Sequence, residues 1–569
     1  MKIFFVPLLA CTICAVPAVA QAVAEAAVAL CRGPIAEAPH SILLPQSGGA
    51  ALSLVVATSR TLPKDAGCRS VPTGLPADAI SWLGAVSASE LDHDSRIALT
   101  VREADEKILA VEVDRPQPSP ATRQLVPRAE VLPVGNYRIF GGEERVMAQP
   151  DVTTFDIACR PGQRPAGAIL DLGAAPPGAA LALELQVQAS EGFQAQIVGH
   201  NQEAKSRGTE IPSGAQVLTL PVPREGDVAL VITCPEVEGR LRLEKGTVRP
   251  ASARPLNRSS AWVWEPDVWR QYSAELLAAA TRLGLGRLYV TVPIAKHQVV
   301  GPDALASFLA AAHGTSIDVV AVEGDPDMIS NEGRANALER ARALAAYNKG
   351  AAPQERLDGV QYDIEPYLGA GYAARSDVVW QLWAETLLQL STALGQQIDV
   401  VVPCWILESG AASGALEQLM PALNRLTIMA YRTDPSAIVS AAAPLLAWSS
   451  SRGLAAAVAL ESVALARERR KVYVKAPEGD LHVIRFDDVA AVVVLDRVRT
   501  GSTDRAYRLS HTVPSDSARV SFNGDTRAAF AAAAEVAPDL AAWPSAHGFA
   551  FHGLTEVTAN AVAGSRGSR

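Results

Sequence analysis

A short acidic run lies between residues 357 and 367, in the segment LDGVQYDIEPY, which is otherwise typical of a buried strand. Side chains alternate along a strand, so Gln361, Asp363 and Glu365 share one face. A carboxylate that is buried close to another raises the pKa of one of the two groups. A Glu that keeps its proton near neutral pH can donate that proton to a leaving oxygen. The run therefore predicts acid catalysis by Glu365 with Asp363 beneath it.

The elements around this run alternate between strand and helix from residue 260 onward. The eight strand candidates are SAWVWEP, RLYVTVPI, IDVVAVEG, DGVQYDIEPY, IDVVVPCWI, RLTIMAYRT, LAAAVALES and GFAFHGLTEV. Nearly continuous apolar strands with helical segments between them indicate a parallel sheet that is covered on its outside. The pattern predicts a (β/α)8 barrel over residues 260–560, with the acidic run as its fourth strand.

The carboxyl ends of barrel strands carry the active site in this architecture, because their loops converge there. This rule selects six residues at strand ends, which are Glu265, Glu323, Asp363, Glu365, Tyr431 and Glu461. The same rim carries four aromatic residues, which are Trp262, Trp264, Tyr367 and Trp405. Carboxylates ringed by aromatic side chains are typical of a sugar site, since acids act on the glycosidic bond and flat rings stack on pyranose faces. As an alternative, the acids cap helices or pair with Arg287, Arg340 or Arg356.

The rest of the chain is rich in strand signals, which predicts a multidomain protein with all-β regions before the barrel. Residues 24–112 form a β-rich region, residues 113–134 a Pro-rich linker, and residues 135–250 a β-sandwich of the carbohydrate-binding kind. A small β-containing insertion is predicted at about residues 465–522, after the seventh barrel strand.

The chain has 569 residues and begins with a basic start, a short apolar run and the motif Ala18-Val19-Ala20. These features predict a signal peptide over residues 1–20, cleaved after Ala20, and hence a periplasmic or secreted protein. Cys11 after Leu-Leu-Ala leaves a lipoprotein site as an alternative. No later segment has the roughly 20 apolar residues that a membrane span needs, and the net charge of −9 argues against a nucleic-acid partner.

Cysteine usage agrees with an oxidising compartment. The pairs Cys31–Cys68 and Cys159–Cys234 each lie inside one β-rich region and are predicted disulfides. Cys404 is left over in a strand-like segment and is expected to be a buried, inert thiol. No spacing of Cys and His predicts a metal site, and no cofactor is implied.

The fourth strand resembles the signature of glycoside hydrolase family 18, the chitinase-like barrels. That signature is D-x-x-D-x-D-x-E, and this chain has Asp358-Gly359-Val360-Gln361-Tyr362-Asp363-Ile364-Glu365. The resemblance implies that Glu365 is the general acid and that Asp363 orients an N-acetyl group of the substrate, whose carbonyl oxygen attacks the anomeric carbon. It also implies a carbohydrate polymer or oligosaccharide as the partner, with Asp358 and Gln361 among the substrate-binding positions.

The sixth strand resembles the family motif Met-x-Tyr-Asp, through Met429-Ala430-Tyr431. The implied role of Tyr431 is a hydrogen bond to the acetamido group. The chain departs from the family at three places: Gln361 stands for the second Asp, Arg432 follows Tyr431 in place of Asp, and Phe551 and His552 lie where the eighth strand usually has Trp. Arg432 and His552 are therefore candidate substrate-binding residues of a divergent member.

Two other interpretations remain. In another group of barrel glycosidases a Glu after strand 4 is the acid/base and a Glu at the end of strand 7 is the nucleophile, with the two about 5 Å apart. Glu365 and Glu461 occupy those places. Alternatively, the barrel binds sugar without catalysis, as a lectin or a cell-envelope scaffold. Retention of both Asp363 and Glu365 argues against this last alternative, because binding does not need a proton donor.

Overall fold

The computed structural model describes residues 25–554, except for residues 36–37, 39, 47–50, 59–66, 93, 115–122, 133–134, 200–207, 252–253, 257 and 501–504. The predicted signal peptide, residues 1–20, lies outside the described residues. Within the described part, no helix is long and apolar enough to cross a membrane.

The N-terminal region is built from short strands whose apolar residues alternate inward. They are β1 (Glu25–Arg32), β2 (His40–Leu44), β3 (Leu52–Thr58), β4 (Arg69–Pro76), β5 (Ile80–Ser87), β6 (Arg96–Arg102) and β7 (Ile108–Asp114). The first four form one sheet in the order β2-β3-β1-β4. The predicted disulfide Cys31–Cys68 is confirmed and joins β1 to the residue before β4.

Ten strands follow and form two five-stranded sheets. They are β8 (Tyr137–Phe140), β9 (Val146–Pro150), β10 (Phe155–Cys159), β11 (Gly167–Ala175), β12 (Leu181–Ala189), β13 (Phe193–Gly199), β14 (Thr209–Ile211), β15 (Gly214–Pro221), β16 (Gly226–Thr233) and β17 (Gly239–Pro250). The sheet orders are β15-β12-β17-β10-β9 and β14-β13-β16-β11-β8. Alternate residues such as Leu183 and Leu185 of β12 and Leu170 of β11 meet in a common core. The predicted disulfide Cys159–Cys234 is also confirmed.

Residues 113–114 of the predicted linker end β7, and residues 123–132 pack on these two sheets. Leu125 and Val131 are buried, and their backbone N–H groups donate to the carbonyl oxygens of Ala174 (2.8 Å) and Gly246 (2.9 Å). Arg128 forms ion pairs with Asp539 (2.6 Å) and Glu535. This stretch is therefore a packed connection to the barrel, because its apolar side chains find a core and its backbone finds strand partners.

The second half of the chain alternates strand and helix. The strands are β18 (Ser259–Val263), β19 (Leu285–Val290), β20 (Ile294–Ala295), β21 (Gln298–Val299), β22 (Asp318–Glu323), β23 (Gly359–Tyr362), β24 (Ile398–Pro403), β25 (Leu423–Met429), β26 (Ala455–Glu461), β27 (Glu468–Lys475), β28 (Glu478–Arg485), β29 (Val489–Thr500), β30 (Ala506–Ser515) and β31 (Ala546–His552). The helices are α1 (Pro266–Gln271), α2 (Ser273–Arg282), α3 (Pro302–Gly314), α4 (Asn331–Gly350), α5 (Ser376–Leu394), α6 (Gly410–Gln418), α7 (Pro435–Ser450) and α8 (Thr526–Leu540).

Eight of these strands close into a parallel barrel in the order β18-β19-β22-β23-β24-β25-β26-β31. Closure is complete because β31 pairs with both β26 and β18. The predicted closed parallel barrel and the assignment of its eight strands are thus confirmed. Side-chain alternation divides each strand: Val360 and Tyr362 of β23 join the outer core, whereas Trp262, Tyr289 and Val401 line the interior.

The insertion between β26 and β31 shares a sheet with the N-terminal region. The seven-stranded order is β5-β29-β28-β30-β27-β6-β7, so the four inserted strands lie between β5 on one side and β6 and β7 on the other. Residues 24–112 and 465–522 were predicted to be separate regions. Alternation of apolar residues locates strands but does not identify partners several hundred residues away, so this joint sheet was not predicted. We call it the composite sheet.

Because β6 pairs with β27, we expect Ile97→Ala to weaken both halves of the composite sheet. Ile97 is fully buried, and removal of its side chain leaves a cavity, which lowers the free energy of unfolding by about 2–5 kcal/mol. Hydrogen exchange should accelerate across residues 468–515 as well as residues 96–102. The control Val498→Ala removes a half-exposed side chain from β29 and should have little effect. Faster exchange confined to residues 96–102 would contradict the shared sheet.

Candidate active site

The end of β23 projects into the barrel mouth and is held by its neighbours. The backbone N–H of Asp363 donates to the carbonyl oxygen of Glu323 (2.8 Å), which extends the pairing with β22 by one step. A Cβ on Gly324 would lie 2.4 Å from the carbonyl oxygen of Asp363, so only glycine permits this approach. On the outer side, the indole N–H of Trp383 in α5 donates to the carbonyl oxygen of Ile364 (3.1 Å).

Asp363 is a half-buried acid with one enclosed, unsatisfied oxygen. Its Oδ1 is enclosed and has no hydrogen-bond partner in the described structure. Burial, followed by the charge of Glu365, raises the pKa of Asp363 to about 7, although His552 acts in the opposite direction. Asp363 therefore holds a proton up to neutral pH. The sequence predicted that Glu365 keeps the proton of the pair; in the structure it is the pKa of Asp363 that burial and the neighbouring charge raise.

Glu365 lies one layer above Asp363 and is oriented by Tyr367. The phenol of Tyr367 donates a hydrogen bond to Oε2 of Glu365. Burial and then the charge of Glu365 raise the pKa of Tyr367, so this phenol stays protonated and remains a donor. The ring of Tyr367 packs edge-on against Trp405, with centroids 5.1 Å apart. Trp405, predicted as a substrate platform, thus supports the residue that positions Glu365.

Glu461 and His552 form a second polar pair at the ends of β26 and β31. His552 Nδ1 lies 2.8 Å from Oε2 of Glu461, and the other oxygen, Oε1, accepts the backbone N–H of Val463 at 2.6 Å. Burial lowers the pKa of His552. The hydrogen bond to Glu461 and the negative charges of Glu461, Asp363 and Glu365 have the opposite effect and prevail, so the pKa of His552 is raised. Nδ1 of His552 therefore donates to Glu461, and both carboxylate oxygens of Glu461 are engaged.

The phenol of Tyr431 lies within the electrostatic influence of Asp363, Glu365 and Glu461. Burial, then the charges of Asp363, Glu461 and Glu365, raise the pKa of Tyr431 well above its ordinary value. Its phenol is consequently a proton-bearing donor among carboxylates. The guanidinium of Arg432 donates to the carbonyl oxygen of Tyr431 at 2.7 Å, so this residue contacts the strand end.

Below these groups lies a closed polar layer. The indole N–H of Trp262 donates to Oε1 of Gln361 (2.7 Å), and Nε2 of Gln361 donates to Oγ1 of Thr427 (3.1 Å). Gln361 is fully buried and Trp262 is 3% exposed, with its ring stacked on Tyr289 at 5.4 Å between centroids. Both were predicted to bind substrate, but they form the floor of the site. Tyr289 lies on the second barrel strand, β19, and Thr427 on the sixth, β25. Neither was predicted, although the alternation of inward side chains on these strands would have selected both.

Glu323 is a paired acid beside a cavity. Nε and Nη2 of Arg340 in α4 donate to its two oxygens at 2.5 and 2.6 Å, which is the ion-pair alternative considered from the sequence. A cavity of about 500 Å³ adjoins this pair and is also lined by Trp264 and Thr291. The indole N–H of Trp264 is buried without a partner in the described structure, and its ring lies edge-on to His552.

Asp358 is a predicted site residue that lies elsewhere, whereas Glu265 stays on the rim after β18. Asp358 precedes β23 at its amino end, where Oδ2 accepts the backbone N–H of Val319 (2.6 Å) and lies 2.9 Å from Nε2 of His313. Seven residues of chain, at about 3.3 Å per residue along a strand, separate it from Glu365. Asp358 therefore fixes the strand at the far end of the barrel. Glu265 is exposed at the start of α1. Among the described residues, no group of three or more His, Cys, Asp or Glu side chains could hold a metal ion.

No protein-family model matches the chain, and no curated protein matches it. Solved structures with some likeness include a family 18 chitinase from Cycas revoluta in complex with (GlcNAc)3, at 10% identity, covering 54% of this chain and 97% of that chain, with a TM-score of 0.30. Another is a family 26 β-(1,4)-mannanase with a CBM35 module from Podospora anserina, at 9% identity, 75% and 93% coverage and a TM-score of 0.27. At such identities and TM-scores, these likenesses carry no argument about this chain.

We expect Asp363→Asn to remove a pH dependence of stability. The pKa of Asp363 is raised from 3.8 to about 7 on folding, so the folded state binds this proton more tightly than the unfolded state. The wild type should lose about 1.4 kcal/mol of unfolding free energy per pH unit between about pH 4 and 7 from this group. Relative to the wild type, the variant should gain stability over that range, as measured by urea unfolding.

The control for this comparison is Asp227→Asn, which neutralises an exposed carboxylate on β16. Its unfolding free energy should follow the wild-type pH profile. If the unfolding free energies of Asp363→Asn and the wild type differ by the same amount at every pH from 4 to 8, Asp363 does not hold a proton in the folded state.

Proposed function

We propose that this chain is an exported glycoside hydrolase with a helix-covered (β/α)8 barrel, in which Glu365 protonates the leaving oxygen and Asp363 assists. The observation that carries the proposal is the Asp363 carboxyl, which has one enclosed and unsatisfied oxygen and feels the charge of Glu365. Such a group is costly in a merely structural role. It is useful where a proton and a hydrogen-bonding oxygen must meet a ligand at neutral pH.

The proposed mechanism retains the configuration of the sugar through its 2-acetamido group. Near neutral pH the Asp363–Glu365 pair shares one proton, which passes from Asp363 to Glu365 and from there to the glycosidic oxygen as that bond breaks. The carbonyl oxygen of the acetamido group attacks the anomeric carbon. The N–H of the same group faces Asp363, and the phenol of Tyr431 donates a hydrogen bond to the acetamido group. Water then opens the cyclic intermediate and returns a proton to Glu365. Activity should therefore fall as the pH rises through about 7.

The cavity beside Trp264 supports a saccharide ligand of this kind. Its volume of about 500 Å³ is in the range of small-molecule sites, and its walls combine an indole ring with the polar Thr291, Asn336 and Arg340. We propose that one sugar ring lies on Trp264 and accepts a hydrogen bond from the indole N–H. The sandwich of residues 135–250 is proposed to bind the same polymer.

A second candidate mechanism uses Glu461 as a nucleophile and Glu365 as acid/base. Two observations favour this mechanism. Glu461 is buried, and the charges of Glu461 and Glu365 both raise the pKa of Tyr431, so both carboxylates lie near this phenol. Against it, both oxygens of Glu461 already accept hydrogen bonds. The two mechanisms differ in their need for a 2-acetamido group. A barrel that only binds sugar is the third candidate.

The test compares the wild type with Glu365→Gln on chitin, peptidoglycan and a panel of bacterial exopolysaccharides, by measuring released reducing ends. Loss of the general acid should slow hydrolysis about 10²- to 10⁴-fold while binding is retained. The matched control is Glu275→Gln, which changes an exposed acid in α2 and should keep the wild-type rate. Equal release by the wild type and Glu365→Gln would contradict the role of Glu365. Binding without release by either protein would favour the sugar-binding barrel.

Once a substrate is found, aryl glycosides with and without the 2-acetamido group separate the two mechanisms. The proposed mechanism requires turnover of the acetamido substrate alone and survival of activity in Glu461→Gln. Turnover of both substrates, together with formation of a glycosyl azide by Glu461→Ala in the presence of azide, would instead establish Glu461 as the nucleophile.

A further inference from the structure

The composite sheet curls on itself and has a mouth of its own, away from the barrel strands. Its first and last strands, β5 and β7, come together: a Cβ on Gly84 would lie 2.9 Å from a methyl carbon of Val111. The enclosed core includes Leu99, Val483 and Tyr507, from both the N-terminal region and the insertion. Mouths of curled sheets are common places for small ligands.

Three basic side chains converge at this mouth. A cavity of about 400 Å³ is lined by Lys475, Arg485 and Arg505, with Tyr507 at its base and Asp92 at its edge. Strand pairing explains the convergence. Lys475 is the register partner of Tyr507, and residues directly opposite each other in a sheet project from the same face.

The two arginines reach the same face through β28. The backbone N–H of Val483 donates to the carbonyl oxygen of Arg505 (2.8 Å), and Arg485 lies two residues beyond Val483 on one strand face. The last residue of β27, the last residue of β28 and the residue just before β30 therefore each supply one cation to one cavity.

Among the described residues, both arginines at the mouth donate to uncharged backbone groups. Nη2 of Arg485 donates to the carbonyl oxygen of Leu91 (2.8 Å), and Nη1 of Arg505 donates to that of Pro72 (3.3 Å). These bonds orient both guanidinium groups but add no negative charge. The Lys475 ammonium makes no hydrogen bond or ion pair within the part of the chain that the structure describes.

Asp92 is the one acid at the mouth among the described lining residues, and its Oδ1 accepts hydrogen bonds from Oγ of Ser95 (2.7 Å) and the backbone N–H of Asp94 (3.0 Å). The carboxylate is thus held in a local turn. Three cations against one such acid leave an excess of positive charge in a protein whose net charge is −9. Like charges that converge in a concave site repel one another unless an anion joins them.

We propose that the mouth of the composite sheet binds an oxyanion, either the carboxylate of an acidic sugar or an inorganic phosphate or sulfate. The planar guanidinium groups match the paired oxygens of such a ligand, and the ammonium adds a point charge. Tyr507 forms the floor below the bound oxygens. The proposal of an oxyanion site is independent of the proposed hydrolase activity, because none of the residues at the mouth belongs to the barrel.

The experiment is isothermal titration calorimetry of the full mature chain at low ionic strength, with sodium phosphate, sodium sulfate, sodium glucuronate and, as an uncharged control, glucose. The variants are Lys475→Gln and Arg505→Gln. The matched control is Lys349→Gln, which removes the same charge from an exposed position in α4. Urea unfolding of each variant checks that the composite sheet is intact.

We expect at least one oxyanion to bind and glucose to give no signal at this site. Affinity should fall about tenfold or more in Lys475→Gln and in Arg505→Gln, because each loses a charge-assisted contact, and should be unchanged in Lys349→Gln. Tighter binding of glucuronate than of phosphate and sulfate would identify an acidic sugar as the source of the oxyanion, and the reverse would identify the inorganic ion. Absence of binding by every oxyanion, or equal affinity in wild type and both mouth variants, would overturn the proposal.

Discussion

The carboxyl group of Asp363 is the constraint on which the barrel mouth depends. A carboxyl placed beside Glu365 and shielded from water cannot ionise easily, so it keeps its proton to about pH 7. Three neighbouring residues hold Asp363 and Glu365 in this arrangement. Gly324 permits β22 to approach, Trp383 holds the backbone at Ile364, and the buried Gln361 closes the space beneath. Burial, followed by the charges of the same acids, raises the pKa values of Tyr431 and Tyr367, so both phenols stay protonated.

Support for the acidic strand end also comes from outside the barrel. The loop that follows Glu365 continues to Ala374, which packs into a core shared with the N-terminal strands and the insertion. Arg375, at the next position, forms an ion pair with Asp488 between β28 and β29 (2.8 Å). Gly371 lies against the backbone of Leu43 and leaves no room for a side chain there. The N-terminal sheets thus help to fix the loop that carries Tyr367, the residue that orients Glu365.

Much of the barrel could be predicted from the sequence, because its strands are continuous apolar runs and because the carboxyl ends of parallel strands meet at one edge. The same alternation placed Asp363 and Glu365 on the inner face, and the pairing of four cysteines followed from their positions. Periodicity could not show how deep a side chain lies within a barrel. Gln361 and Trp262 were therefore taken for substrate contacts although they bond to each other in the floor.

Other features depend on partners that are distant in the chain. Glu323 pairs with Arg340, and Asp358 binds the start of β22, so neither acid could be assigned from its strand position alone. The link between Glu461 and His552 joins β26 to β31 across the insertion. The composite sheet is the largest such case, since β5 and β6 find their partners in β29 and β27. Its basic mouth exists only once the strands are paired.

The central claim, that Asp363 holds a proton beside Glu365 at neutral pH, can be measured directly by carbon NMR of the side-chain carboxyl groups. The Asp363 resonance can be identified by its absence from the spectrum of Asp363→Asn and followed from pH 3 to pH 9. The account predicts a titration with its midpoint near pH 7, and a smaller displacement of the Glu365 resonance over the same range, since the two groups interact. A midpoint near pH 4 for Asp363, with Glu365 unaffected, would contradict it.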